Sequence, residues 1–310
     1  MELLTLGGTV FLGRHIVNEA LERGHNVTMY SRGLHGQAHP DAEHVLGDRN
    51  DVTALKNRAW DAAIDTSGYT PEQVRASAAL DTGHYVFVST CNVYPDWPEK
   101  PVDEDSPVHQ HGDGYGELKA AAERALPDSA ATVRAGLIVG PHDNVFRLPW
   151  WVRRIAEGGR VPAPGDPGRQ IQVIDARDLA SFLLDLAEHR TTGAFNGTGP
   201  IGQTTFKELL EAAGDAELVW IPDDKLEEAD VEPWVEMPLW IPARFEGTWR
   251  VGTEKAQKAG LRSRPVEETV RDVRRWLENG GERELDDWRS EHRPPRMSRE
   301  REDSLFRLLR

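Results

Sequence analysis

The chain has a single cysteine, Cys91, in 310 residues. One thiol closes no internal disulfide and builds no zinc cluster, so neither a disulfide scaffold nor a metal site is expected. No apolar run reaches the length that crosses a bilayer, and no membrane partner is expected. Residues 2–12 lack a basic region ahead of an apolar stretch, and glycines interrupt that stretch. No secretory leader is expected, and the cytoplasm is the default compartment. Positive charge is also scarce: 37 Lys and Arg stand against 52 Asp and Glu, a formal charge of −15. Such a field repels phosphate backbones, which argues against a nucleic-acid partner. The arginine-rich tail HRPPRMSREREDSLFRLLR is the local exception. Its interleaved acids mark it as a solvated terminal helix rather than a basic arm.

What is present is alternation. Residues 2–6 read as a short apolar strand, and Ile16, Val17, Ala20 and Leu21 carry helical periodicity up to Gly24. NVTMYS is a second strand, DAAIDTS a third and HYVFVST a fourth, with PEQVRASAAL a helix between the last two. GELKAAAERAL is helical and ATVRAGLIVG is again a strand. Strand and helix in turn imply an α/β fold, a parallel sheet covered by helices on both faces. From Pro141 the texture changes to proline, glycine and tryptophan. The expected division is a dinucleotide-binding domain over 1–140 with 171–199 returning to it. A smaller substrate-binding lobe takes 141–170 and 200–280, and a charged helical tail takes 281–310.

The opening MELLTLGGTVFLGRHIV lacks one glycine. A dinucleotide loop uses its first glycine for a tight turn, its middle one for close approach to pyrophosphate and its last for helix packing. Gly7 and Gly13 hold the outer positions, and Val10 stands at the middle one. Val10 crowds that position without removing the backbone donors at the helix N-terminus. The loop therefore nominates Gly7, Thr9, Val10, Phe11, Leu12 and Gly13 as cofactor-binding. The second strand ends Tyr30-Ser31-Arg32-Gly33, with no acid to meet a ribose 2′-hydroxyl. Ser31 and Arg32 are placed to meet a 2′-phosphate, which favours NADP(H) over NAD(H). The bland alternative is a surface arginine.

Tyr115 and Lys119 stand at i and i+4, on one face of a helix. A tyrosine is a poor base at its ordinary pKa of about 10. A nearby ammonium favours the phenolate, and the same lysine can hold a nicotinamide ribose. Thr90, at the end of VFVST, offers a hydroxyl to a substrate oxygen. Tyr115 then transfers the proton, Lys119 tunes it and Thr90 orients the substrate, while the cofactor handles hydride.

In combination these motifs resemble the extended short-chain dehydrogenase/reductase superfamily, the NAD-dependent epimerase/dehydratase group. GGTVFLGRHIV resembles its opening loop, in a subgroup with a GGTxFLG loop. VSTCNVY resembles its Ser/Thr strand, with 25 residues from Thr90 to Tyr115. RAGLIVGP, VIDARDLA and RPVEETVRDVRRWL resemble its later segments, over about residues 2–277. The resemblance implies a Rossmann-type doubly wound sheet with a C-terminal substrate lobe. It implies Asp48 facing the adenine, Ser67 near the cofactor, Leu137 at the nicotinamide amide, and a homodimer through helices that include the Tyr115 helix. Loop capping is the alternative for Asp48, and an ordinary turn serine for Ser67.

Departures from the family pattern narrow the reaction. Cys91 and Asn92 follow Thr90 where dehydratases carry Asp-Glu, which disfavours dehydration. Ile171 aligns with an arginine that contacts the diphosphate in sugar-nucleotide epimerases; Arg169 is the available substitute, and a solvated arginine of the loop PGDPGRQ is the alternative. In the lobe, His142, Arg147 and Trp150 are candidate substrate residues, with a loop histidine and a helix-surface arginine as the alternatives for the first two. Trp150, Phe146, Trp151, Trp220, Trp234 and Trp240 fit either a ring-stacking wall or a core. The resulting expectation is an NAD(P)-dependent oxidoreductase interconverting a carbonyl and a secondary alcohol on a small molecule, a sugar derivative being one candidate. A sugar epimerase is one alternative, and a non-catalytic dinucleotide sensor or RNA-binding regulator is the other.

Overall fold

The computed structural model describes residues 1–97, 100–285 and 296–308, and the chain divides into two compact units. The first comprises residues 1–138, 173–200 and 251–263. Its strands are β1 (Glu2–Leu6), β2 (Asn26–Ser31), β3 (Glu43–Leu46), β4 (Ala62–Asp65), β5 (Tyr85–Thr90), β6 (Ala131–Ala135) and β7 (Gly193–Gly197). They form one sheet in the order β7-β6-β5-β4-β1-β2-β3, with every neighbouring pair parallel. The winding reverses between β1 and β4. In a doubly wound sheet that reversal opens a crevice at the carboxyl ends of the two strands.

Among the described residues, the helices that cover this sheet include α1 (Phe11–Glu22), α2 (Pro71–Ala78), α3 (Tyr115–Glu123) and α4 (Ala176–Glu188). Successive strand side chains point to opposite faces. Leu3, Met29, Ile64, Val86 and Val88 therefore share one core with Ile16 and Val17 of α1 and Phe182 and Leu183 of α4. Leu4, Leu6, Ala63, Tyr85 and Phe87 share the other with Val74 of α2 and Ala122 of α3. The predicted strand ATVRAGLIVG is two strands, β6 and Leu137–Val139, because Gly136 turns away to donate to the Gly197 carbonyl at 3.1 Å. The edge strand β3 had no period-2 signal strong enough to be read.

The second unit comprises residues 139–172, 201–250 and 264–310. The helices Arg147–Ala156, Phe206–Ala212 and Val266–Glu278 pack together. A parallel pair of strands, Arg160–Pro164 and Glu217–Ile221, stands beside them. Trp151 meets Trp150 edge-on at 4.6 Å and Phe206 at 5.7 Å, and its indole N–H donates to the Pro238 carbonyl at 2.7 Å. Among the described residues, no helix is long and apolar enough to cross a membrane.

Two boundaries differ from expectation. Residues 251–263 belong to the first unit: Gly252 donates to the Val102 carbonyl at 2.7 Å, and Ala256 and Leu261 enter the core of α1 and α4. The tail is not a solvated helix. Within Arg299–Leu308, Arg154 Nε and Nη2 each reach the Glu302 carboxylate at 2.7 Å, with both side chains buried. Arg296 donates to the Trp234 and Val235 carbonyls at 2.9 Å and to the Val145 carbonyl at 2.7 Å. Met297 and Leu305 are buried with it. The arginines exchange water for protein acceptors, which periodicity alone does not reveal. Residues 286–295 and 309–310 of the expected tail lie outside the described residues.

Candidate active site

The glycine turn lies at the reversal point. Gly7 and Gly8 have φ of 111° and 113°, a region that side chains avoid. A Cβ on Gly13 would lie 2.6 Å from the Gly8 nitrogen, so helix and turn meet only through glycine. Val10 is extended, at φ −132°, and is the N-cap of α1 without a side-chain cap; the first turn contains no acid. Valine is therefore compatible with the turn, and the helix N-terminus is uncapped and free of negative charge. That arrangement fits a pyrophosphate. Thr9 is buried, and the Leu12 side chain belongs to the core, which leaves Leu12 only its backbone to offer. Phe11 begins the helix at φ 40° with its ring 6.4 Å from that of His15.

Arg32 is exposed and has no hydrogen-bond or ion-pair partner among the described residues. Ser31 Oγ is 2.8 Å from His44 Nε2. Asp48 spends one carboxylate oxygen on the backbone and side-chain nitrogens of Asn50, both at 2.8 Å, which is the loop-capping role. The Ser67 amide donates to Asp65 Oδ1 at 2.9 Å, so Ser67 closes a turn on Asp65. Leu137 is half-buried.

Thr90 ends β5. Its oxygen accepts from the Asn92 amide at 3.2 Å, and its proton has no acceptor among the described residues. A Cβ on Gly116 would lie 2.0 Å from the Asn92 carbonyl oxygen, so glycine lets α3 press against the turn that follows Thr90. Tyr115, the first residue of α3, is half-exposed, and its ring is 6.5 Å from that of Tyr69. One turn on, Lys119 is buried. Its Nζ donates to the Gly68 and Val88 carbonyls, both at 2.7 Å, and lies 4.1 Å from the Phe87 ring centre. Burial pushes its pKa down to about 8. Cys91 is excluded as a nucleophile: its thiol donates to the Arg134 carbonyl, and burial pushes its pKa up to about 12.

Sequence reading missed Asp65, Arg49, Gly68 and Tyr69. Asp65 is fully buried at the end of β4 and accepts from Arg49 Nη2 and, at 2.6 Å, from the Tyr85 hydroxyl. A carboxylate closing the apolar run AAID was the available signal.

The remaining candidates lie in the second unit. His142 is left-handed at φ 66°, its ring 5.4 Å from Trp276. Arg147 stands 4.0 Å from Asp143, whose carboxylate accepts from the Val145 and Arg147 amides. Trp150 is 4% exposed and meets Trp151 edge-on, the packing of a core residue. Phe146, Trp151 and Trp240 are core residues as well. Arg169 forms an ion pair with Asp223 and donates to the Ile241 carbonyl at 3.0 Å, so it is neither solvated nor available to a diphosphate.

Seven parallel strands in this order, with an uncapped glycine turn at the reversal, define a doubly wound α/β protein of the Rossmann type. The model of the NAD dependent epimerase/dehydratase family matches residues 69–202. The chain is 25% identical to the chloroplast stem-loop binding protein of 41 kDa b of Arabidopsis thaliana, over 69% of this chain and 63% of that protein's length. It is 28% identical to the epimerase family protein SDR39U1 of Mus musculus, over 70% of this chain and 80% of that one. The solved enzyme WbmH of Bordetella bronchiseptica, in complex with NAD+, superposes with a TM-score of 0.68 at 20% identity, covering 90% of this chain and 99% of WbmH. Over residues 69–202 the chain is thus similar to the NAD dependent epimerase/dehydratase family, and it shares the fold of the solved WbmH structure.

Proposed function

We propose that this protein is a nicotinamide-dinucleotide oxidoreductase that interconverts a carbonyl and a secondary alcohol on a small molecule. The observation that carries the reading is the buried Lys119 ammonium, fixed by two carbonyls one helical turn from the half-exposed Tyr115. In the reducing direction Thr90 donates to the substrate oxygen. Tyr115 releases its phenolic proton to that oxygen as the carbonyl carbon gains hydride. Lys119 stabilises the phenolate left behind. When bound, a nicotinamide supplies or accepts that hydride. NAD+ in the WbmH complex supports this cofactor class.

Within that class, NADP(H) is preferred. The carboxyl end of β2 carries no acid, and Arg32 offers an unpartnered guanidinium suited to bidentate phosphate contact. The test is calorimetric titration with NADPH and NADH. Arg32→Ala weakens NADPH binding about tenfold or more and leaves NADH unchanged. Equal losses for both cofactors overturn the preference, and no binding of either overturns the cofactor reading.

The family match favours a second reading in the same chemistry, epimerisation through a transient ketone. It differs by net turnover, since an epimerase regenerates its cofactor. The printed name of the chloroplast relative favours stem-loop binding, against which the charge of −15 stands. Titration with an RNA hairpin separates that reading from the enzymatic ones.

A further inference from the structure

Three ionic side chains are packed together beneath the Tyr115 end of α3 without full exposure to water. Asp65 is fully buried, Lys119 is 3% exposed, and the Arg49 side chain is 12% exposed. Their formal sum is one net positive charge, which is costly in a dry interior. Asp65 is the anion of the three. Its Oδ2 accepts from Arg49 Nη2 and Tyr85, and its Oδ1 from the Ser67 amide. Arg49 is left with Nε and Nη1 buried and unpaired, so Arg49 alone uses only part of its bonding capacity on Asp65.

Lys119 is coupled to the same carboxylate through one peptide. Its Nζ donates to the Gly68 carbonyl, and the Asp65–Ser67 turn leads into that residue. The approach is close: a Cβ on Gly68 would lie 2.8 Å from Asp65 Oδ2 and 3.0 Å from the Phe87 ring. Phe87 is the ring over which the ammonium sits.

We propose that Asp65 is a positioning residue for Lys119: its carboxylate keeps the buried ammonium protonated, and its turn presents the Gly68 carbonyl that fixes Nζ. The proposal rests on the reading of Tyr115 and Lys119 as the proton-transfer pair. Other charged or titratable groups facing Lys119 are Arg49, which opposes its charge, and Glu123 on its own helix, which supports it. Tyr69, with its ring 5.6 Å from Nζ, and Tyr115 complete the set, and Tyr85 reaches Lys119 only through Asp65. Burial alone drives a lysine toward the neutral form, and a neutral amine neither steadies a phenolate nor retains full hydrogen-bonding power toward a ribose. Asp65 counters that drive.

The experiment titrates the seven lysines by NMR of side-chain 13C-labelled full-length protein, with Lys119 assigned through Lys119→Arg. Asp65→Asn lowers the Lys119 midpoint by about one pH unit or more, the range for losing a nearby opposite charge. Arg49→Met raises it, because it removes a like charge while Asp65 retains its Tyr85 and Ser67 bonds. The Arg49 variant keeps the test open if Asp65→Asn does not fold. Midpoints that stay in place in both variants overturn the proposal. In parallel, NADH affinity followed from pH 6.5 to 9.5 falls at lower pH in Asp65→Asn than in wild type. Absence of NADH binding in wild type sinks the cofactor reading while the NMR arm still decides the Asp65 proposal.

Discussion

The glycine turn of residues 7–13 and the terminal helix Arg299–Leu308 achieve order by opposite means. In the turn the backbone does the work: glycines at φ above 110° and a helix that touches Gly8 through Gly13. In the terminal helix side chains do it, through arginines that reach acceptors far away in sequence. Backbone-encoded geometry is visible in a few adjacent letters. Side-chain-encoded geometry becomes visible only when its distant partner is known, and the two respond differently to substitution.

The largest expected effect is in the tail. Arg154→Met leaves Glu302 buried without its partner and lowers unfolding free energy by about 3–5 kcal/mol, measured by chemical denaturation. The double variant Arg154→Met/Glu302→Leu recovers most of that loss, because two apolar groups need no compensation. A double variant as unstable as the single would mean the tail is held by something other than the pair.

Lys119 sharpens the contrast as a buried cation held by carbonyls rather than by a salt bridge. Its folded pKa, about 8, lies below its ordinary 10.5, so between those values the unfolded chain binds more protons than the folded one. Stability from this group therefore rises with pH across that window. Lys119→Met is expected to be more stable than wild type below pH 8, by up to about 3 kcal/mol, and the gap closes toward pH 10.5. Thermal melts across that range provide the check; a gap that does not change with pH would place the titration elsewhere.

The smallest stability effect accompanies a total functional one. Gly13→Ala forces a methyl against the Gly8 backbone, an overpacking that costs about 1–3 kcal/mol. Because the turn itself must shift, dinucleotide binding disappears from calorimetry while the fold survives. Retained binding would show that the turn yields more easily than its contacts indicate.

The same contrast explains what the sequence made legible. The strands NVTMYS and HYVFVST are buried on both faces of the sheet, and their β-branched and aromatic residues between turn signals mark them as strands. The Tyr115/Lys119 spacing was readable because helix periodicity fixes which side chains share a face. Lys119's own partners were not, since backbone carbonyls carry no letter code. Arg49 and Asp65 are 16 positions apart and join only once β3 and β4 are built into the sheet. Trp150 was ambiguous because a tryptophan that lines a ligand and one that fills a core are written identically. Residues 251–263 group with the first unit through chain path, Gly252 bonding to Val102, and composition does not encode such a return.

The second unit's dependence on residues 296–308 also sets a timetable. The last segment of the first unit ends at residue 263, whereas Arg154 must wait for Glu302, 148 positions downstream. At translation speeds of about 5–20 residues per second, a nascent chain holds that arginine without its counter-charge for on the order of ten seconds. The second unit is thus the last to close on the ribosome. A chain stalled before Glu302 would display its tryptophans to whatever surveys unfinished proteins.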